Sequence, residues 1–220
     1  MKKSLIIIAT SILIICTMNT PGVTQEIQGA ITPQLGVRGG INFSDLHTKD
    51  AEESKMLTGF NIGIYGKLPI SNNFAFQPEF SYTTKGSEVT YNNAFVNGTA
   101  RFRLNYLEMP FLFVVNITDN FNLHFGPYVS CLVSGKVTNK SNIDIFDFED
   151  IINADDYNRF DAGVAAGAGF DFKAVSFGAR YTYGLTIVGK EKTYMGTTYT
   201  FPDANNAALS FYVSVPLHNN

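Results

Sequence analysis

From residue 34 to 44 the chain reads QLGVRGGINFS, in which Leu35, Val37, Ile41 and Phe43 alternate with Gly36, Arg38, Gly40, Asn42 and Ser44. A two-residue period is that of a β-strand with one apolar and one polar face. The pattern recurs with Phe60, Ile62, Ile64 and Leu68 against Asn61, Gly63, Tyr65 and Lys67, and then with Phe74, Phe76, Phe80 and Tyr82 against Gln77, Glu79, Ser81 and Thr83. Residues 102–117 set Leu107, Met109, Phe111, Phe113 and Val115 against Tyr106, Glu108, Pro110 and Asn116, with a poorer pattern in their first residues. Residues 120–134 set Phe121, Leu123, Phe125, Val129, Cys131 and Val133 against Asn122, His124, Gly126, Tyr128, Ser130 and Ser134. Three further runs, 159–172, 175–187 and 207–217, follow the same rule, with Arg180 on the polar parity of the seventh. The pattern predicts eight strands, each about ten residues or longer.

The connections alternate strictly between long and short. Those near 45–57, 86–101, 135–158 and 189–206 are long and polar, whereas those near 71–73, 118–120 and 173 are tight turns. In an up-and-down barrel every other connection lies at the same end, so one rim would carry all the long loops and the other the termini and short turns. Outer-membrane barrels have an even strand number, short periplasmic turns and long outer loops. At about 2.5 Å of depth per tilted residue, ten or eleven residues cover an apolar band of about 25 Å. The expected fold is all-β: an eight-stranded antiparallel up-and-down transmembrane β-barrel of the smallest outer-membrane size, spanning residues 34–217. Its polar parity would face inward and its apolar parity would face lipid, with Phe177 and Val213 near mid-depth. The opposite assignment, an apolar interior in a soluble exported lipocalin-like carrier, stays open at this point. The glycine-rich, charge-poor polar face suits a narrow interior better than a solvated exterior.

The first residues read as an address. Lys2 and Lys3 precede an apolar run over residues 5–15, followed by small and polar residues to Thr24. That run is short of the roughly 20 residues a spanning helix needs, so residues 1–24 are expected to be a cleaved signal peptide and 25–33 a short periplasmic segment. Ile15, bulky and immediately before Cys16, disfavours a lipoprotein signal. Cleavage would move the formal charge from -3 to -5 and leave Cys131 as the remaining thiol. The composition, 45% hydrophobic but only 16% charged with 19 Phe, 11 Tyr and no Trp, fits strands that spend part of their surface in lipid. Without a basic block there is no footprint for nucleic acid.

With this layout in place, the sequence resembles the small outer-membrane β-barrel proteins of the Bacteroidetes, the PorT-like or porin-family proteins. LGVRGGINFSDL at 35–46, LEMPFLF at 107–113, FGPYVS at 125–130 and GAGFDF with GARYTYGLT within 167–186 carry the resemblance. It implies residence in the bacterial outer membrane, lipid as the surrounding partner, and insertion by the barrel-assembly machinery. Family members typically end on an aromatic residue, whereas residues 217–220 here read LHNN.

Candidate chemistry is sparse. His47, His124 and His218 are scattered, and no nucleophile, base and orienting group converge, so no enzyme, cofactor or metal is expected. GVAAGAG at 163–169 alternates within a strand and does not open a helix, as a phosphate cradle would. The acidic stretch at 143–156 interleaves acids with apolar residues. Asp144, Phe146, Asp147, Phe148, Glu149 and Asp150 make it the candidate recognition loop for an extracellular or envelope partner, as a solvated tip or short amphipathic helix. Arg38, Glu79, Glu108 and Arg180 share the inward parity and are expected to form one lumen charge network. Structural ion pairing that plugs the lumen is the first reading, and a narrow porin-like channel for ions or small solutes is the alternative.

Overall fold

The computed structural model describes residues 32–48, 54–92, 97–141, 148–152, 158–187, 192–194, 197–199 and 204–217. The expected signal peptide, residues 1–24, lies outside them. The strands are β1 (Gln34–Thr48), β2 (Ser54–Pro69), β3 (Phe74–Asn92), β4 (Asn97–Asn116), β5 (Phe121–Ser141), β6 (Phe148–Ile152), β7 (Phe160–Asp171), β8 (Ser176–Ile187), β9 (Lys192–Tyr194), β10 (Thr197–Tyr199) and β11 (Ala204–Pro216).

Eight of these close a ring. β1 to β5 pair in sequence, β5 continues to β7, β8 and β11, and β11 returns to β1 in antiparallel register from Gly36↔Pro216 to Thr48↔Ala204. In the span that all eight strands share, closure leaves no bare edge, which a bilayer demands because an unpaired backbone group in hydrocarbon costs several kcal/mol. Tight turns join the strands at one rim. Ile70 and Ser71 donate to the Phe74 carbonyl at 2.7 and 3.0 Å, and Phe172 donates to Val175 at 2.9 Å. Thr118 caps the middle turn, its hydroxyl accepting from the amide of Phe121 at 3.0 Å.

The burial pattern is inverted relative to a soluble protein. Asn42, Gln77, Glu79, Lys85, Glu108, Asn122, Asp161 and Arg180 are buried, while Ile62, Ile64, Phe125, Phe170, Phe211 and many other large apolar side chains are exposed. Soluble monomers rarely expose a contiguous apolar surface of this extent. An interior filled with charge also removes the soluble-carrier alternative, which needs an apolar cavity. Two small apolar clusters do lie inside, Leu104 with Tyr106 and Leu132, and Leu112 with Tyr128 and Ala165.

Three expectations require correction. First, much of what reads as loop is strand. β3 and β4 continue to the pair Asn92↔Asn97, β5 runs to Ser141, and β9 and β10 form a hairpin of their own. Antiparallel pairing satisfies the backbone whatever the side chains, so polar residues extend the sheet beyond the apolar band without leaving a two-residue hydrophobic period. His47 accordingly belongs to β1, not to a loop. Second, Ser134 is outside, not inside. Register passes from Asn105↔Ser134 to Tyr106↔Leu132, so Val133 is the extra residue of a bulge that reverses the parity above it. Third, Phe177 is the second residue of β8, and its register partner Val213 lies three residues from the end of β11, so both are close to the short-turn rim, while Ile62 in β2 occupies a central position.

A second irregularity lies between β2 and β3, where register slips between Met56 and Asn61. Opposite it Gly86 has φ of 150°. A Cβ there would run into the carbonyl oxygen of Phe102, so this position admits glycine only.

Candidate functional site

Inward parity on three strands that are not neighbours brings Arg38 of β1, Glu79 of β3 and Arg180 of β8 to one point. Arg180 grips Glu79 with both terminal nitrogens, Nη1 to Oε2 at 2.7 Å and Nη2 to Oε1 at 2.9 Å. Arg38 Nη1 also donates to Glu79 Oε1, and Gln77 Nε2 donates to the same oxygen at 2.7 Å. The Tyr212 ring lies against both guanidiniums, 3.9 Å from Arg38 and 5.4 Å from Arg180, so weakly hydrated cations meet a π face inside the barrel. Gly178 makes room for that ring, because a Cβ there would overlap it, and Gly36 does the same for Tyr65.

The fourth expected member pairs elsewhere. Glu108 Oε2 accepts from Lys85 Nζ, and the Lys85 ammonium sits 4.6 Å from the Tyr128 ring and 5.9 Å from that of Tyr106. The side of the wall follows from parity, but the partner follows from depth. Farther along, Asp161 of β7 accepts from Tyr128 at 3.0 Å, Thr186 at 2.6 Å and Asn206 at 3.1 Å. Near the short-turn rim Lys67 pairs with Asp171 at 2.9 Å. Lys85, Asp161, Lys67 and Asp171 were absent from the expected network. Lys85 was the most accessible of them to sequence reasoning, since it continues the inward series Gln77, Glu79, Ser81, Thr83 by one step.

The interior is nearly full. A vestibule of about 440 Å³ opens at the short-turn rim, lined by Tyr65, Lys67, Asp171 and turn residues. Beyond it, among the described residues, lie two cavities of about 20 and 30 Å³. His124 is buried against Asn122, with Nδ1 3.2 Å from Oδ1. Among the described residues no group of His, Cys, Asp and Glu could hold a metal ion.

At the other rim, Asp144, Phe146 and Asp147 of the candidate recognition loop lie outside the described residues. Phe148, Glu149 and Asp150 belong to β6, which pairs with the upper part of β5 through Asn139↔Phe148, Thr138↔Glu149 and Val137↔Asp150. Residues 148–152 are therefore strand, not the short helix that was one expectation. β6 takes the place beside β5 that β7 vacates, since β7 pairs with β5 only as far as Cys131↔Phe160.

The model of the outer membrane protein beta-barrel domain family matches residues 25–188. The chain belongs to this family. Among solved structures it is similar to the Neisserial surface protein A, at 15% identity and a TM-score of 0.51, covering 84% of this chain and 98% of that one. It is also similar to Ail, the attachment invasion locus protein of Yersinia pestis, at 13% identity, 84% and 98% coverage and a TM-score of 0.44. A third is OprG from Pseudomonas aeruginosa, at 13% identity, 86% and 99% coverage and a TM-score of 0.41. No curated protein sequence matches the chain. The family, the closed eight-stranded ring and the inverted burial make this an integral β-barrel of the bacterial outer membrane, with its apolar face against lipid.

Proposed function

We propose that this outer-membrane barrel is a non-catalytic surface-interaction protein that presents its long connections outside the cell and keeps its termini and short turns in the periplasm. The observation that carries the reading is the contrast between its two ends. The lumen is filled by side chains around Glu79 and Glu108, and among the described residues the two cavities beyond the vestibule hold about 30 and 20 Å³. The opposite rim is built up by β6 and by the extended ends of β3, β4 and β5. A filled interior gives solutes no path from one side of the membrane to the other, and surface loops on a rigid scaffold are where recognition residues concentrate. The acidic and apolar segment containing Asp144, Phe146, Asp147, Phe148, Glu149 and Asp150 is the proposed recognition element, and its partner is an extracellular or envelope component. The Arg38, Glu79, Glu108 and Arg180 charges serve as a structural plug in this reading.

The finer placement among Bacteroidetes PorT-like proteins is supported by the motifs at 35–46, 107–113 and 167–186. A signal peptide over residues 1–24 is supported by a family match that begins at residue 25. Delivery to the barrel-assembly machinery is then the route of insertion.

Two measurements test the function. Planar bilayers containing the purified barrel show no stable single-channel steps, whereas steady conductance overturns the plug in favour of the narrow channel. A photo-reactive amino acid at position 149 on intact cells yields an adduct of defined mass, while one at position 108 yields none. Silence at 149 removes the recognition loop.

A further inference from the structure

We infer that the mid-lumen cavity is a binding site for one small monovalent anion of the halide class. Five side chains that carry a formal charge line this space of about 30 Å³: Arg38, Lys85 and Arg180, and against them Glu79 and Glu108. Three cations face two carboxylates, so the lining carries one net positive charge. Both carboxylates are already committed to direct ion pairs, Glu79 to the two arginines and Glu108 to Lys85.

The excess is not neutralised nearby by protein. Asp161 is held by its own three donors and faces Thr186, six residues along β8 from Arg180, or about 20 Å at the strand rise. Asp171 is paired with Lys67. The Nε atoms of Arg38 and Arg180 are buried and have no hydrogen-bond partner in the protein. A buried charge without a counter-charge and two buried N–H donors without acceptors are costly for the same reason, and one anion relieves both.

Size selects the class. About 30 Å³ admits one occupant of water size, which fits a halide and excludes phosphate, sulfate or an organic acid. Entry is from the short-turn rim. The vestibule and the cavity of about 20 Å³ share Tyr65, Lys67 and Asp171, and that cavity shares Arg38 and Tyr212 with the mid-lumen one.

The test is urea unfolding of the full chain in detergent micelles at constant ionic strength, with sodium gluconate exchanged stepwise for sodium bromide. Gluconate is too large to enter. Uptake of one ion by the folded state makes the unfolding constant fall about tenfold for each tenfold rise in bromide above its Kd. Arg38→Met leaves Glu79 balanced by Arg180 and abolishes that slope. A wild-type slope of zero overturns the site, and so does a slope that Arg38→Met retains. Should the variant not fold, crystals of the wild-type protein grown in bromide decide. An anomalous peak inside the mid-lumen space lined by Arg38, Lys85 and Arg180 supports the inference, and a lumen without one refutes it.

Discussion

The half of the barrel beside the short turns and the half beside the long connections are built on different principles. In the first, all eight strands carry apolar side chains outward and charged or aromatic ones inward, so lipid and the lumen ion pairs both act on it. In the second, β3, β4 and β5 continue to 19, 20 and 21 residues, while β7 and β8 stop at 12. The surplus of β4 over β8 is about 20 Å of height. There, Arg101 and Arg103 on β4 and Lys140 on β5 face outward and are exposed. Backbone pairing thus carries more of the upper wall than of the lower half, and its outward side chains should matter correspondingly less to stability.

The largest expected effect is in the lower half. Glu79→Gln leaves two guanidiniums without their shared carboxylate and should destabilise the barrel by about 3 to 5 kcal/mol in urea unfolding. A double-mutant cycle with Arg180→Met should show strong coupling, because the pair is bidentate. The cycle of Glu108→Gln with Arg180→Met should show a clearly smaller one, since Glu108 bonds Lys85. Equal couplings would mean that depth does not separate the two clusters.

On the lipid face, Ile62→Arg in the middle of β2 should cost about 2 to 4 kcal/mol, and Phe177→Arg beside the short-turn rim only about 0 to 1. Equal costs would place the apolar band at a different height. At the junction of the two halves, Gly86→Ala should cost about 1 to 3 kcal/mol, because the backbone is positive in φ and Phe102 closes the space. In the upper wall Glu88→Gln breaks only an exposed ion pair with Arg101, 2.6 Å long, and should cost roughly 0.2 to 1 kcal/mol. A loss as large as that of Ile62→Arg would show that the upper wall is not held by its backbone alone.

These two halves also differ in how far they could be read from residues. The membrane part declares itself through strict alternation, as in Leu107, Met109, Phe111 and Phe113, and the wall each side chain faces follows directly. What alternation lacks is height. Arg38, Glu79 and Arg180 meet, and Glu108 finds Lys85 instead, because strand tilt and stagger set depth and no residue type encodes them. The upper wall left no period, since its outer face carries Arg101, Arg103 and Lys140 in place of apolar residues and the contrast between its faces is lost. The bulge at Val133 shows the same limit from another side: one extra residue turns Ser134 outward, and nothing in the composition near it announces the slip.

The seam between β1 and β11 bears on something else. Gly36 faces Pro216, and the Leu217 amide reaches the Leu35 carbonyl at 2.8 Å, so the two ends of the barrel segment are already side by side at the short-turn rim. A linker of a few residues would join them, and the chain could then be opened in any long connection without altering a single strand neighbour. The finished ring has no first strand. Only biogenesis assigns one, and a circular permutant would separate what the folded barrel requires from what its insertion requires.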